Sequence, residues 1–349
     1  MNRVQILTVA EGEGDQRLDR WLKRRFPQLN QGRIEKMCRK GELRLNGGRA
    51  KAGARVMAGQ VIRIPPLPSG TSGPDHRPPR QADPTEARLL RSRVIYRDDH
   101  LLALNKPPGL AVQGGSGQTR HVDALAPALR FERDENPRLV HRLDKDTSGV
   151  LLMARTRAVA ATLATVFRRR EIRKIYWAIV AGVPHPRKGR ITYGLIKSPG
   201  HDAGGGEGML CVHPSEVDRT PGARHAHTDY AVLSNLGRRA AWMALTPVTG
   251  RTHQLRAHMA GIGHPIIGDG KYGRAGRENP GDGWGMQLGD AIDHGLHLHA
   301  RSLSLEHPVT KAPLTVTAPL PEHMRHTWAT VGWRETDMSG DPFEGPEDV

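Results

Sequence analysis

The stretch HRLDKDTSG at residues 141–149 joins two apolar segments of the chain. Residues 138–140 (RLV) before it are typical of extended chain, and residues 150–154 (VLLMA) after it are typical of a buried strand. Asp144 is therefore predicted to lie on a tight turn between core strands, where a rigidly held carboxylate can face a cleft as a nucleophile or general base does. An Asx turn with an exposed ion pair would give the same local pattern, because Asp, Ser and Gly favour turns for local reasons.

Two later segments also carry residue types suited to chemistry. Residues 174–180 (KIYWAIV) predict a strand, and Tyr176 on it can stack on a base or transfer a proton. Residues 249–259 (TGRTHQLRAHM) predict a turn followed by a helix, on which His253 and Arg256 can share a face. An arginine beside a buried aspartate keeps the carboxylate ionised, as a nucleophile requires.

The composition points to a polyanionic partner. The chain has 349 residues, a net charge of +16 and an isoelectric point near 10.5. When lysine and arginine side chains neutralise the phosphates of a nucleic acid, they release condensed counterions, and this release favours binding. The positive charge therefore indicates a nucleic acid as the binding partner. A membrane partner would require a basic amphipathic helix, and none is convincing here. No apolar run approaches ~20 residues and residues 1–10 lack a signal-peptide pattern, so we expect a soluble, cytoplasmic protein with no membrane partner.

The 18 histidines raise the question of a metal site. His-x-His pairs at 225–227 and 297–299 can each offer two ligands, but no cysteine pair or His-Glu-x-x-His motif accompanies them. Cys38 and Cys211 are too far apart in sequence to form a metal knuckle or a disulfide framework. We therefore predict no metal. Three histidines lie within the motifs: His141, His253 and His258. We expect them to be partly buried side chains with hydrogen-bond partners in the fold, in preference to a direct catalytic role.

Residues 3–66 predict a compact, basic α+β unit, because they carry 15 Lys/Arg against 6 Asp/Glu. Apolar residues at helical spacing and turn residues at the ends define its elements. The predicted elements are a helix over 15–26, a second helix between Asn30 and Gly41, and strands over 42–46 and 61–65.

This segment resembles an S4 RNA-binding domain, on the residues RLD (17–19), LNG (45–47) and GQVI (59–62) and the pattern over 34–41. In that family the second helix and the loop after it present basic residues to structured RNA. The RNA-binding residues that the resemblance implies are Arg33, Lys36, Arg39, Lys40 and Arg44. The alternative is a solvated basic face without a specific partner.

Composition also divides the rest of the chain. Residues 67–90 lack apolar periodicity and are rich in Pro, Gly and charge, so we expect a flexible linker. A large domain is expected over 91–333, followed by an acidic, disordered tail over 334–349. Residues 198–224 predict an irregular, glycine-rich insertion without the lysine and helix of a phosphate loop. The other predicted elements are a helix over 158–170 and strands within 101–109, 228–233, 241–246 and 303–306.

From about residue 95 to 321 the large domain resembles the RluA family of RNA pseudouridine synthases. The stretch at 141–149 occurs in order with NKPPG (105–109), KxYxA (174–178), TGRTHQLRxH (249–258) and LHA (298–300). Together with the S4-like segment, these motifs look like the branch that modifies large-subunit ribosomal RNA. The implied fold class is α+β: a small S4-type domain over 1–66, then a catalytic domain built on a mixed, mainly antiparallel sheet with flanking helices.

The resemblance also implies a role for each motif residue. The implied catalytic residues are Asp144, Tyr176 and Arg256, and the implied RNA contacts of the large domain are Arg142, Arg251 and His253. Asp144 would be essential, Arg256 would pair with it, and Tyr176 would contact the base and help at C5. Arg142 would fill the gap left by the extruded uridine. The implied reaction, uridine to pseudouridine, needs no cofactor, and attack of Asp144 on ribose C1′ and removal of the C2′ proton both remain open.

Other functions fit parts of the pattern. A non-enzymatic RNA-binding assembly factor predicts loss of Asp144, Tyr176 or Arg256, and all three are present. A glycoside hydrolase needs two carboxylates, and its second candidate, Asp146, is expected to face solvent. A methyltransferase would need a glycine-rich loop joining a strand to a helix.

Within the family the target is open. One class of enzyme modifies several dispersed uridines of large-subunit rRNA, including some near the peptidyl transferase centre, and the long basic N-terminal unit favours it. A second class modifies the stem-loop that contacts tRNA and the small subunit, and a tRNA target is a third alternative. A monomer without an obligate protein partner is expected.

Overall fold

The structure is a computed structural model that describes residues 4–67, 83–114, 120–198, 208–273, 292–338 and 341–343. The chain divides into two compact units, Met1–Gln81 and Ala82–Val349. No helix of the described residues is long and apolar enough to cross a membrane.

The first unit packs two helices against short antiparallel strands. Its elements are β1 (Gln5–Thr8), β2 (Gln16–Arg17), α1 (Leu18–Arg25), α2 (Gln31–Lys40), β3 (Arg44–Leu45), β4 (Gly48–Arg49), β5 (Arg55–Val56) and β6 (Val61–Ile64). Four strands form a sheet in the order β1-β6-β3-β4, and β2 pairs with β5. The apolar faces of both helices are buried in one core with Ile62 and Ile64, as the helical spacing predicted.

Local signals set the ends of α2. The Asn30 side chain accepts a hydrogen bond from the Arg33 backbone N–H at 2.8 Å, and Gly41 ends the helix in the left-handed conformation at φ 69°. Both ends match the prediction. Helix α1 begins at Leu18 and not at Asp15, because Gln16 and Arg17 are extended and pair with β5.

The second unit is built on a large mixed sheet. Its strands are β7 (Val94–Arg97), β8 (Leu101–Lys106), β9 (Arg138–Leu139), β10 (Ser148–Ala154), β11 (Arg173–Ala181), β12 (Lys188–Ile191), β13 (Gly194–Lys197), β14 (Met209–Val212), β15 (Thr228–Leu236), β16 (Ala240–Pro247), β17 (Leu298–Glu306) and β18 (Pro313–Thr317). Ten of these form one sheet with the path β12-β15-β16-β11-β17-β10-β8-β7, in which β18 also pairs with β17 and β9 with β10. Among the described strands, β10 and β17 form the one parallel pair, so the predicted mixed, mainly antiparallel sheet is confirmed.

Helices cover both faces of this sheet. They are α3 (Pro84–Arg91), α4 (Val122–Leu125), α5 (Arg157–Arg169), α6 (Gln254–Gly261) and α7 (Glu322–Thr330). On one face Leu255 and Met259 of α6 pack against apolar residues of β11 and β16. On the other face Trp328 of α7 packs against Trp242 at a ring distance of 5.4 Å. Most of the central strand β16 and residues 177–180 of its neighbour β11 are buried, because helices cover both faces of the sheet there.

Three segments differ from the sequence prediction. Residues 84–90 of the predicted linker belong to α3, which Asp83 caps by accepting the Thr85 backbone N–H at 2.9 Å. Part of the predicted insertion forms β14, which pairs with β13. The predicted tail begins with a turn of 3₁₀ helix at Glu335–Asp337, where Glu335 pairs with Arg301. The linker residues 68–82, the glycines at 204–206 and the tail residues 344–349 lie outside the described residues.

Candidate active site

Asp144 lies on the loop that leads into β10, with 28% of its side chain exposed. The end of the loop is fixed because Thr147 and Ser148 are buried, and Ser148 Oγ lies 2.9 Å from His299 Nδ1. Gly149 has φ 108°, and it comes so close to Ala300 of β17 that a Cβ atom would lie 2.2 Å from the Ala300 carbonyl oxygen. The carboxylate is therefore held on a rigid turn at the start of a core strand, as predicted.

Lys106 supports the same loop from below the surface. Its ammonium group is fully buried and donates to three backbone carbonyls, those of Pro107 at 2.9 Å, Leu110 at 2.8 Å and Lys145 at 2.8 Å. Burial lowers the pKa of Lys106 to about 7, against the opposing charges of Asp146 and Asp144. The bond to Lys145, the residue after Asp144, ties the loop to the end of β8. The NKPPG motif was noted in the sequence, but nothing in it indicated this contact.

Arg256 projects from α6 toward Asp144. Its Nη1 lies 4.0 Å from Asp144 Oδ2, whereas its Nε and Nη2 donate to the two oxygens of Asp269, each at 2.7 Å. Asp269 has no exposed side-chain surface and also accepts the backbone N–H groups of Lys271 and Tyr272. Burial opposes both charges, but their mutual hydrogen bonds raise the pKa of Arg256 and lower that of Asp269.

The expected pairing of Arg256 with Asp144 is thus an incomplete description. The bidentate partner of Arg256 is Asp269, a residue to which the sequence pattern assigned no role. This partner fixes the guanidinium plane and leaves Nη1 directed at Asp144.

His253 approaches Asp144 from the residue that precedes α6. Its Nε2 lies 4.0 Å from Asp144 Oδ2, and its Nδ1 lies 3.0 Å from the Tyr272 hydroxyl. That hydroxyl accepts the Met209 backbone N–H at 2.8 Å, so its own proton is free to be donated to His253 Nδ1. Burial lowers the pKa of His253 despite the neighbouring Asp144, which favours a neutral ring with its N–H directed at the carboxylate. Tyr272 is a third residue, after Lys106 and Asp269, whose role sequence reasoning missed.

Tyr176 is presented to the site by β11. The strand is hydrogen-bonded on both sides, with Tyr176 opposite Leu245 of β16 and Ala300 of β17. Burial and the nearby charge of Asp144 raise the pKa of Tyr176 above its ordinary value, so the phenol remains protonated at neutral pH.

These side chains share one cleft of about 1070 Å³. All six predicted site residues of the large domain line it: Arg142, Asp144, Tyr176, Arg251, His253 and Arg256. Four further cations line it as well: Arg168, Arg170, Arg173 and Lys174. The five predicted S4 contacts lie on α2 and at the start of β3 of the first unit, where Lys36, Arg39, Lys40 and Arg44 are exposed and Arg33 is half-buried.

The other motif histidines are bound within the fold. His141 Nε2 accepts the Leu152 backbone N–H at 2.8 Å, and burial lowers the pKa of His141 to about 3. His258 lies between the Thr228 hydroxyl and the Tyr193 carbonyl. Among the described residues, no group of three or more His, Cys, Asp or Glu side chains is placed to hold a metal ion.

The arrangement can carry out chemistry on a bulky anionic substrate. It offers a partly exposed carboxylate, a neighbouring guanidinium held by its own counter-ion, a protonated phenol and a neutral imidazole, within a basic cleft. Asp146 is exposed and does not line the cleft, so it does not supply the second carboxylate of a glycoside hydrolase.

Comparison with known proteins agrees with this geometry. Residues 100–261 match the RNA pseudouridylate synthase family, and residues 16–62 match the S4 domain. The chain is 34% identical over 330 residues to "Ribosomal large subunit pseudouridine synthase C" of Vibrio vulnificus, covering 92% of this chain and 95% of that one. It is 35% identical over 336 residues to the protein of the same name from Yersinia pestis, covering 93% and 94%.

A solved structure, "Human RNA Pseudouridylate Synthase Domain Containing 4", superposes with a TM-score of 0.56 at 31% identity, covering 71% of this chain and 96% of that one. The sequence similarity covers 92% of this chain, more than either unit alone. The chain therefore belongs to the RNA pseudouridylate synthase family, whose members are isomerases that act on RNA, and it carries an S4 domain ahead of the synthase domain.

Proposed function

We propose that this protein isomerises uridine to pseudouridine in large-subunit ribosomal RNA, with Asp144 as the catalytic carboxylate. The observation that carries the proposal is the placement of Asp144 within 4.0 Å of both Arg256 and His253 in a cleft lined by cations. Relatives that align over nearly the whole chain are named for the large ribosomal subunit, which supports ribosomal RNA as the substrate.

The geometry suits a reaction on a uridine that has left its stack. Extrusion costs a few kcal/mol, which contacts in a basic cleft can offset. The N1–C1′ bond breaks, the base turns, and C5 bonds to C1′ while the proton on C5 is lost and N1 regains one. Asp144 either attacks C1′ or removes the C2′ proton. In both routes the guanidinium of Arg256 lies beside the reacting carboxylate, with its Nη1 4.0 Å from Asp144 Oδ2.

Tyr176 and Arg142 complete the site in this proposal. The phenol of Tyr176 stays protonated and can contact the base and assist proton transfer at C5. Arg142 is exposed at the cleft, where its guanidinium can occupy the space that the extruded uridine leaves in the RNA. The S4 unit, through α2, supplies further contacts to structured RNA.

The favoured targets are several dispersed uridines of large-subunit rRNA, including some near the peptidyl transferase centre. The stem-loop that contacts tRNA, and tRNA itself, are the alternatives. We further propose that the protein acts in the cytoplasm as a monomer.

The test is carbodiimide mapping of pseudouridine across ribosomal and transfer RNA. Cells lacking the protein are compared with cells restored with the wild type, Asp144→Asn or Asp146→Asn. We expect sites in large-subunit rRNA to be lost in the deletion, regained with the wild type and Asp146→Asn, and absent with Asp144→Asn. Asp146 is the matched control because it is an exposed carboxylate on the same loop. If no site changed, the proposal would be wrong and an RNA-binding assembly role would take its place.

A further inference from the structure

We propose that Lys174 binds a backbone phosphate next to the target uridine, and that Arg168 and Arg170 continue the same phosphate-binding surface. The inference rests on the proposed function, since it takes RNA as the ligand. It assigns substrate binding to three residues outside the catalytic group described above.

The strand places Lys174 beside the reaction centre. Lys174 and Tyr176 are two positions apart on β11 and both line the cleft, whereas Ile175 between them packs in the tryptophan cluster around Trp242. β11 carries a bulge between Ile175 and Tyr176, so the placement follows from the cleft and not from simple alternation: Lys174 and Tyr176 line the same cleft and are presented to the same substrate.

Lys174 differs from the buried cations Lys106, Arg155 and Arg256, and from its strand neighbour Arg173, because each of those has a hydrogen-bond or ion-pair partner. Lys106 donates to three carbonyls, Arg256 is bound by Asp269, and Arg173 is bound by Asp341. Among the residues that the structure describes, Lys174 makes no hydrogen bond or ion pair, although it is half-buried and burial lowers its pKa. Enclosing a cation without a partner costs free energy, and an anionic ligand would recover it.

The surroundings of Lys174 favour an anion from outside the protein. The nearby His141 ring does not supply a negative charge. Burial and the charge of Lys174 lower the pKa of His141 to about 3, so the ring is neutral. Two of the cleft's carboxylates are already paired, Glu171 with Arg169 at 3.8 Å and Asp229 with Arg190.

The end of α5 extends the cationic surface. Phe167 stacks on His141 with a ring distance of 4.8 Å, which docks the last turn of α5 against the segment that carries Asp144. Arg168 and Arg170, on either side of this end, are exposed, line the cleft and make no ion pair with a described residue. Three cations without counter-charges therefore face one cleft.

The chemistry of the ligand follows from that charge. Every target uridine in RNA brings a phosphodiester on each side of its ribose, and both are obligatory anions within one nucleotide of the reacting C1′ atom. A lysine is a point charge with three donors, which suits a phosphate oxygen without demanding one geometry. Neutral parts of the nucleotide would leave the charge of Lys174 uncompensated.

The experiment compares Lys174→Met, Lys174→Arg and Lys145→Met with the wild type on a target RNA and on copies with one neutral methylphosphonate, placed 5′ or 3′ of the target uridine. Lys145 is the matched control, because its side chain is exposed on the Asp144 loop but does not line the cleft. We expect Lys174→Met to raise KM by about tenfold to a hundredfold with a smaller change in kcat, because a charge-assisted hydrogen bond is lost. The slope of log affinity against log salt should fall by ~0.7. Lys174→Arg should restore most of the affinity.

The modified RNAs identify the contact. One of the two methylphosphonates should weaken binding to the wild type and to Lys145→Met, but leave Lys174→Met unaffected. If both were as good as natural RNA for the wild type, the inference would be wrong even if Lys174→Met failed to fold. A fall in kcat with unchanged KM and salt slope would assign Lys174 to the chemical step and also overturn it. If the wild type formed pseudouridine and bound both methylphosphonate RNAs as tightly as natural RNA, only this inference would fail. If the wild type formed no pseudouridine in any RNA, the proposed function would fail as well.

Discussion

Asp269 shows how a fully buried residue can fix the orientation of one that lines the cleft. It is fully buried and binds Arg256 through two hydrogen bonds of 2.7 Å, and its orientation is fixed by two backbone N–H groups. Without it, Arg256 would be a buried cation free to form a short bidentate pair with Asp144. The Asp144 carboxylate would then be occupied by a structural ion pair and could not take the catalytic role proposed for it.

Asp269→Asn is therefore expected to impair both activity and stability. The substitution keeps the size of the side chain but removes the charge from a buried pair, which costs about 3 kcal/mol of unfolding free energy. We expect kcat to fall because Arg256 turns toward Asp144. Urea unfolding and pseudouridine formation measure the two effects. Asp218→Asn, at a carboxylate whose side chain is 88% exposed, is the control and should change neither quantity. Unchanged kcat in Asp269→Asn would show that Asp269 does not position Arg256.

At the scale of the element, the decisive feature is the parallel contact between β10 and β17. Ser148 pairs with His299 and Gly149 with Ala300, immediately after the loop of Asp144. Gly149 also pairs with Lys106 of β8 on its other side, so the loop is fixed where three strands meet. A side chain at residue 149 would have to displace backbone, because the Ala300 carbonyl oxygen is 2.2 Å from the position of a Cβ atom.

Gly149→Ala is expected to destabilise the second unit by several kcal/mol and to lower kcat. Two costs add: the positive φ of 108° and the displacement of β17 away from the loop. Gly109→Ala separates them, because Gly109 has φ 79° but nothing within 4 Å of its Cβ position. The control should lose only about 1–2 kcal/mol. Thermal unfolding and kcat of both variants provide the measurement, and equal losses in the two would contradict the role of the close contact.

The elements also show what the sequence could and could not predict. The ends of α2, the buried strand β10 and the strand β11 follow from local signals such as the Asn30 cap and the apolar run over 150–154. Helix α3 has a local signal too, an Asp83 cap with proline in the first turn, but the surrounding linker composition concealed it. The bond of Lys106 to Lys145 spans 39 residues and that of Arg256 to Asp269 spans 13. Contacts of this kind depend on the folded arrangement and leave no pattern in a single sequence.

At the scale of the whole molecule, the cleft draws its residues from separate parts of the second unit. Asp144 comes from the loop before β10, Tyr176 from β11, and Arg256 from α6. None of these elements forms the site alone, and the sheet order brings them together, since β10 and β11 both pair with β17. The integrity of the site therefore depends on the stability of the whole second unit.

That stability is expected to fall at mildly acidic pH, because the second unit encloses histidines as neutral rings. Burial lowers the pKa of His253 and, by a large amount, the pKa values of four further histidines, to about 3 for His141 and His299 and to about 4 for His258 and His297. In the unfolded chain each would titrate near 6.5, so between pH 6.5 and about 4 the unfolded state binds more protons than the folded state. Stability from these groups is complete above pH 6.5 and is lost as the pH falls toward 4. The loss is about 1 kcal/mol for each histidine in the first pH unit below 6.5.

Urea unfolding at pH 7.5, 6.5 and 5.5, followed by tryptophan fluorescence, tests this dependence. Five of the six tryptophans belong to the second unit, so the signal reports mainly on it. Aspartates whose pKa values are lowered in the folded state, such as Asp269, lose their contribution only near and below their ordinary value of 3.8, so they do not account for a loss between pH 7.5 and 5.5. His299→Gln should reduce the pH dependence by about one quarter, since it removes one of four similar groups. A free energy of unfolding that stayed constant over this range would contradict the prediction, because it would mean that the folded and unfolded states bind the same number of protons.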